Sequence, residues 1–248
     1  MIFDVEYFLE ALSSRALLTG ALVTIALSAV VQVTALLLSL PFAAGLTSPR
    51  RWLRTCLKAY VWLFRGAPTL LILLFCWNGL PQLFPSLRSD WFSPFLAAFL
   101  AMSLVGIAYN GEIVRAGLLS VNKGQHEAIA ALGISKLNGF LYVILPQAMR
   151  VSVPSLMNEF ISLLKSTSLA YTISLKELMT TTTLSITASF KFTEWYVAAL
   201  VYYLVMVTIL TVLQSAVEKR MSRALHPSTT NDERNKQGTI PFLEKTQS

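Results

Sequence analysis

Few residues in this chain are equipped for chemistry, and those few sit inside apolar sequence. Glu159 and Lys165 interrupt the apolar stretch 151–173, and Glu112 and Arg115 interrupt the end of another. An ionisable side chain at mid-bilayer costs about 2.5–3.5 kcal/mol on insertion scales, so each of these needs a partner or a task. Glu112 and Arg115 are three residues apart and can neutralise each other on one helix face. Glu159 and Lys165 are six apart, about 240° around a helix, and cannot easily pair. A carboxylate such as Glu159 suits the cationic group of a substrate, with Asn158, Ser162 and Thr167 able to add hydrogen bonds. The alternative is an internal ion pair, with Arg65 or with Lys165 across a seam between two copies. Bond-making chemistry is poorly provided for. No Gly-x-x-x-x-Gly-Lys-Ser/Thr phosphate cradle, Gly-x-Ser-x-Gly elbow, His-x-x-x-His pair or Cys-x-x-Cys occurs. His126 and His226 are the only histidines, and Cys56 and Cys76 are too few for a zinc cage.

The elements that must position these residues are membrane spans. Charged residues make up 13% of the 248, against roughly 25% in an average soluble domain. The mean hydropathy is +0.59. A spanning helix needs about 20 apolar residues. The charge-free run from Ala16 to Pro49 supplies the clearest span, 17 to about 40 or a turn beyond. Further spans are expected at about 59–80, 91–111 (extending toward 119), 151–173 and 195–217. Runs such as Leu70-Leu71-Ile72-Leu73-Leu74 do not alternate as barrel strands would. The fold class is therefore all-α integral membrane with about five transmembrane helices.

The net charge of +7 punctuates these spans rather than forming one exposed face, which argues against nucleic acid as a partner. Loops after the first, third and fifth spans carry ten Lys or Arg, including Arg50, Arg51, Arg54 and Lys58; the opposite side carries four. The basic side is expected to be cytoplasmic, with the N-terminus outside and the C-terminus inside. Residues 1–16, with Asp4, Glu6 and Glu10, read as an extracytoplasmic segment rather than a signal peptide, with Phe3, Phe8 and Leu12 on one side of a short surface helix. Residues 17–217 form the transmembrane domain, and 218–248 a polar cytoplasmic tail.

Residues 120–146 are too polar to cross lipid and too patterned for an idle linker. Gln125–Leu132 is rich in helix formers, Gly133 supplies a cheap left-handed break, and a second helical stretch, 135–143, is ended by Pro146. Glu127 is placed near a helix start, where the dipole favours its charge.

Glu127-Ala128-Ile129, then Gly133, then Val143-Ile144-Leu145-Pro146 resembles the EAA loop of importer-type ABC transporter permeases: Glu-Ala-Ala, three residues, Gly, nine residues, Ile-x-Leu-Pro. Ile129 and Val143 are mild departures. Arg65-Gly-Ala-Pro68, the run 108–117 followed by Gly124-Gln125, and Asn158-Glu159-Phe160-Ile161-Ser162-Leu163-Leu164-Lys165-Ser166-Thr167 are similar to the polar amino-acid, or histidine-permease-like, branch. The likeness covers about residues 20–213, with Ile72 standing where many members carry Gln.

The resemblance implies a cytoplasmic ATPase-docking loop, with Gly124, Gln125, Glu127, Ala128, Gly133, Leu145 and Pro146 as its residues, that forms the coupling helix docking on a separate ATPase chain. ATP and Mg would bind there, and no cofactor on this chain. Arg65, Pro68, Glu112, Arg115 and Lys165 are assigned structural or gating roles, and members with Asn-Glu at 158–159 tend to serve basic amino acids. The expected partners are ABC ATPase subunits, an extracytoplasmic amino-acid-binding protein, a second permease chain (identical or similar) and membrane lipid. The expected function is ATP-driven import of polar, basic amino acids by alternating access. An ion-coupled carrier using Glu159 or Glu112 as a proton site is the competing expectation.

Overall fold

The computed structural model describes residues 3–223, and every element in them is helical. The short α1 (Val5–Leu12) precedes α2 (Arg15–Leu46). Next come α3 (Arg51–Gly66) and the rod α4 (Thr69–Leu83), set at 102° to each other. Then follow α5 (Pro94–Ser120), α6 (Lys123–Ala131), the long rod α7 (Lys136–Ile173), α8 (Leu178–Ser189) and α9 (Phe192–Arg223). Four helices are long and apolar enough to cross a membrane, or five if the bent pair α3–α4 counts as one span. The segment beyond 223, with His226 and most of the expected tail, lies outside the described residues.

Side-chain caps start most of these helices. Ser14, Ser93, Asn122 and Ser135 each accept a hydrogen bond from a backbone N–H in the first turn that follows. The principal seam runs between α2 and α5. Leu27 and Val31 of α2, Leu73 of α4, and Ala97, Ala98, Ala101 and Met102 of α5 are buried there. Small residues dominate because lipid tails give helices no hydrophobic reason to associate, so close approach must supply the attraction. The same device recurs where α5 crosses α7. A Cβ on Gly117 would lie 2.7 Å from the Ala148 carbonyl oxygen, so only glycine fits.

Two expected elements differ from what is observed. The second span is no single helix over 59–80. Ala67 precedes a proline, which drives it out of the helical region to φ −81°, ψ 141°, and the chain turns there. Pro146 does not end a helix before the fourth span. The rod continues through it because a wider π turn, Phe140–Ile144, comes first, with the Leu145 N–H bonded to Phe140 O. That widening accommodates a ring with no N–H to give. The pattern repeats in α4, where the π turn Phe75–Gly79 precedes Leu80-Pro81. At its far end α9 runs to Arg223, six residues into the expected tail.

In α8 a run of hydroxyls, including Thr181, Thr182, Thr183, Ser185, Thr187 and Ser189, bonds carbonyls of the turn behind. Its start is fixed by Glu177, a fully buried carboxylate. Glu177 accepts from the N–H groups of Thr180 (2.8 Å) and Met179 (2.9 Å), from the Thr180 hydroxyl (3.1 Å) and from the Tyr203 hydroxyl of α9 (3.4 Å). The first N–H of the helix, on Leu178, donates to the Thr24 hydroxyl oxygen of α2.

Candidate functional site

A cavity of about 290 Å³ opens between α2, α4, α5 and α7. Its polar lining is Gln32, Thr69, Tyr109, Glu159, Ser162 and Ser166; Met102, Val105, Gly106 and Leu163 complete the wall. Its size is near the lower end of ordinary small-molecule sites. Glu159 sits about 20 Å along the helix from Leu145, which is near mid-depth for a bilayer about 30 Å thick. It is half-buried and takes part in no ion pair among the described residues. Gln32 spans a polar junction in this wall. Its Nε2 donates to Leu156 O of α7, and its Oε1 accepts from Asn110 Nδ2 of α5, both at 3.5 Å. Asn110 is fully buried, and its Oδ1 has no partner.

Tyr109 also lines a second recess of about 330 Å³, with Arg65, Glu112, Ser152 and Ser155. This recess continues toward the end of the bundle that bears the basic loops, hereafter the basic end. The Arg65 guanidinium lies 4.9 Å from the Tyr109 ring centroid, a cation–π distance. Arg65 therefore neighbours the cavity without pairing with Glu159. Glu112 and Arg115 do pair, through two hydrogen bonds to one carboxylate oxygen at 2.7 and 2.9 Å.

The other sequence candidates scatter. Asn158 is one residue, about 100°, from Glu159 and so faces elsewhere; its Oδ1 accepts from Gln214 of α9. Thr167 is fully buried, and its hydroxyl donates to Leu164 O. Ser162 lines the cavity, while Lys165 is exposed and makes no ion pair among the described residues. Pro68 stands exposed at the break between α3 and α4.

The motif residues gather at the basic end. Asn122 caps α6 through Gly124, and Gln125 accepts from Gln147 of α7. Glu127 and Ala128 are exposed on α6, and Glu127 stands mid-helix rather than near the start. Gly133 adopts φ +64°, which lets the Ile134 N–H return to Ile129 O and close the helix. Ile129 packs over Gly139, seating α6 on the start of α7, while Leu145 and Pro146 lie on the next turns of that rod. Outside the spans, at the other end, Asp4 and Lys191 pair at 3.1 Å. The Tyr7 N–H, and then Lys191, hold the Asp4 carboxyl below its ordinary range, and Asp4 raises Lys191 in turn.

Gln32, Asn110 and Glu177 do not stand out in sequence reasoning, although each is a polar residue in an apolar setting. For Gln32 that was the available signal: an amide inside the charge-free first span.

The family of binding-protein-dependent transport system inner membrane components matches residues 35–223. The probable amino-acid permease protein YxeN of Bacillus subtilis is 40% identical over 67% of this chain and 73% of its own. The arginine transport system permease protein ArtQ of the same organism is 33% identical, over 83% and 92%. The glutamine transport system permease protein GlnP of Escherichia coli is 36% identical, over 65% and 73%. A crystal structure of an amino acid ABC transporter with histidines superposes with a TM-score of 0.79 at 28% identity, covering 89% of this chain and all of that one. With that architecture and a polar cavity at mid-depth, the chain belongs to the amino-acid ABC transporter permeases among the binding-protein-dependent inner membrane components.

Proposed function

We propose that this permease carries basic amino acids, or a related opine, inward. The observation behind this reading is Glu159: a carboxylate at mid-depth, lining a cavity, that joins no ion pair among the described residues, with Arg65 as its nearest charged neighbour but out of pairing distance. A cationic side chain would satisfy it at the point where transporter sites tend to lie. The substrate's carboxylate would find Arg65 beyond Tyr109. Gln32, Ser162 and Ser166 would share the remaining polar contacts. ArtQ is an arginine permease by name and GlnP a glutamine permease, so the charge on Glu159 is what inclines the reading to cations.

The chain itself performs no bond chemistry in this reading. Two permease chains, identical or similar, enclose the pathway. ATPase subunits bind α6 and Gly133 and hold the ATP and Mg, and an extracytoplasmic receptor delivers the amino acid. ATP binding draws the two α6 helices together and turns the cavity outward; hydrolysis returns it. The N-terminus is outside and the C-terminus cytoplasmic. The family assignment does not favour an ion-coupled carrier working without an ATPase.

The test is uptake by proteoliposomes holding the full complex and receptor. Glu159→Gln should lower arginine uptake by two to three orders of magnitude, from roughly 3–4 kcal/mol of lost charge pairing at a partly buried site. ATPase subunits should still co-purify. Arginine uptake at normal affinity in this variant would refute the basic-substrate reading.

A further inference from the structure

The N-terminal half of α3 carries cations that the chain itself leaves unmatched. No acidic residue occurs between Glu10 and Asp90, and among the described residues no cation of α3 joins an ion pair. The helix is two-faced. Leu53, Leu57, Tyr60 and Phe64 are its half-buried side. Leu57 lies against Gly45 of α2, and the Tyr60 hydroxyl donates to Leu104 O of α5 at 2.7 Å. Arg51, Arg54 and Lys58 follow at spacings of three and four, which keeps them within about 60° of one another, Arg51 and Lys58 exposed and Arg54 half-buried at the margin of the apolar side. Arg54 gives one N–H to Ser48 O, which turns it back toward the basic end.

Two tryptophans flank this stripe in the open. Trp52 is 66% and Trp62 77% exposed, and no residue of α3 is buried. The helix starts at the basic end, where Leu57 lies against Gly45 near the end of α2, and climbs toward the middle of α5, where Tyr60 reaches Leu104 and Arg65 lies over Tyr109, so Arg51, Arg54 and Lys58 stand on its basic-end half. Three cations with exposed Trp52 among them at the basic end match the boundary between headgroups and acyl chains.

We infer that the Arg51, Arg54 and Lys58 stripe on the basic-end half of α3 binds anionic phospholipid headgroups of the leaflet on the basic side. The inference does not rest on substrate identity. It commits to lipid rather than to an ATPase subunit because exposed Trp52, Trp62 and Leu63 call for an apolar boundary beside the cations. The docking helix α6 is a separate projection, seated on α7.

The probe is the intact complex in phosphatidylcholine vesicles containing brominated phosphatidylglycerol or, at equal mole fraction, brominated phosphatidylcholine. Quenching of the Trp52-dependent emission, isolated with Trp52→Phe, reports which lipid lies against α3. Brominated phosphatidylglycerol should quench more strongly, and added salt should erode the difference. Each cation neutralised should lower the relative affinity about fivefold, so Arg51→Gln gives a measurable step and Arg51→Gln/Arg54→Gln/Lys58→Gln abolishes the preference. Equal quenching by the two lipids in the native complex would overturn the inference. So would a preference that survives the triple variant, or a triple variant that sheds its ATPase subunits while keeping the lipid preference. The salt dependence is read on the native protein, so it decides the matter even if the triple variant fails to assemble.

Discussion

Glu177 offers the most quantitative handle on this bundle. Truncation to Ala removes the acceptor for two first-turn N–H groups of α8, for the Thr180 hydroxyl and for Tyr203. Loss of a helix cap costs about 1 kcal/mol. Leaving a buried hydroxyl unsatisfied costs a further 1–3 kcal/mol. The sum is about 2–4 kcal/mol, which for a domain of this size corresponds to a melting point lower by roughly 5–15 °C. Glu177→Gln keeps one carbonyl acceptor but turns an NH2 toward the other donors, so it should fall about midway. The assay is thermal unfolding of the detergent-solubilised complex, followed by near-ultraviolet signal. A Glu177→Ala melt within about 2 °C of the parent, or a Gln variant less stable than the Ala variant, would show that this carboxylate does not clamp α8 to α9.

Three further outcomes are expected. Gly117→Val should prevent α5 and α7 from crossing, since its Cβ would meet Ala148 O at 2.7 Å; the check is loss of monodisperse protein on size exclusion. Gly133→Ala should cost about 1–2 kcal/mol at φ +64° and weaken ATPase co-purification about tenfold, whereas Gly133→Asn, which tolerates that conformation, should retain more. The Asp4–Lys191 pair should support the outer end only in a pH window. The Asp4 value is lowered from 3.8, so its contribution is present above that pH and lost as pH falls through the lower folded value; Lys191, raised from 10.5, loses its contribution as pH climbs past the raised one. Melting curves between neutral pH and pH 3 should therefore fall more for the parent than for Asp4→Asn, and parallel curves would refute the pairing.

Sequence reasoning recovered what depends on composition and spacing along one helix. The charge-free first span, the Glu112–Arg115 pair and the Gly133 break follow from local rules, and each has its counterpart in the bundle. Side-chain direction across helices was less legible. Asn158 and Glu159 are adjacent in sequence, yet 100° apart on a helix they answer to different neighbours, Gln214 and the cavity. Prolines misled in both directions. Gly66-Ala67-Pro68 reads as a motif but turns the chain by 102°, whereas Pro146 reads as a stop and is absorbed by a widened turn. Gln32 and Glu177 gain their importance from α5, α7, α8 and α9, elements far from them in sequence, and no local pattern announces that.

The hydroxyl run of α8 has a mechanical consequence. Those bonds close within the helix, so they travel with it and none is broken when its surface shears past a neighbour. Hydrogen bonds tether it to other elements at its two ends, the foot by Glu177 to Tyr203 and by Leu178 to Thr24, and the tip by Ser189, whose hydroxyl oxygen accepts from Trp195 Nε1 of α9 at 2.9 Å. A polar rod pinned at both ends and self-saturated between them behaves as a supported beam: its middle can bow without exposing a single unmet donor to oil.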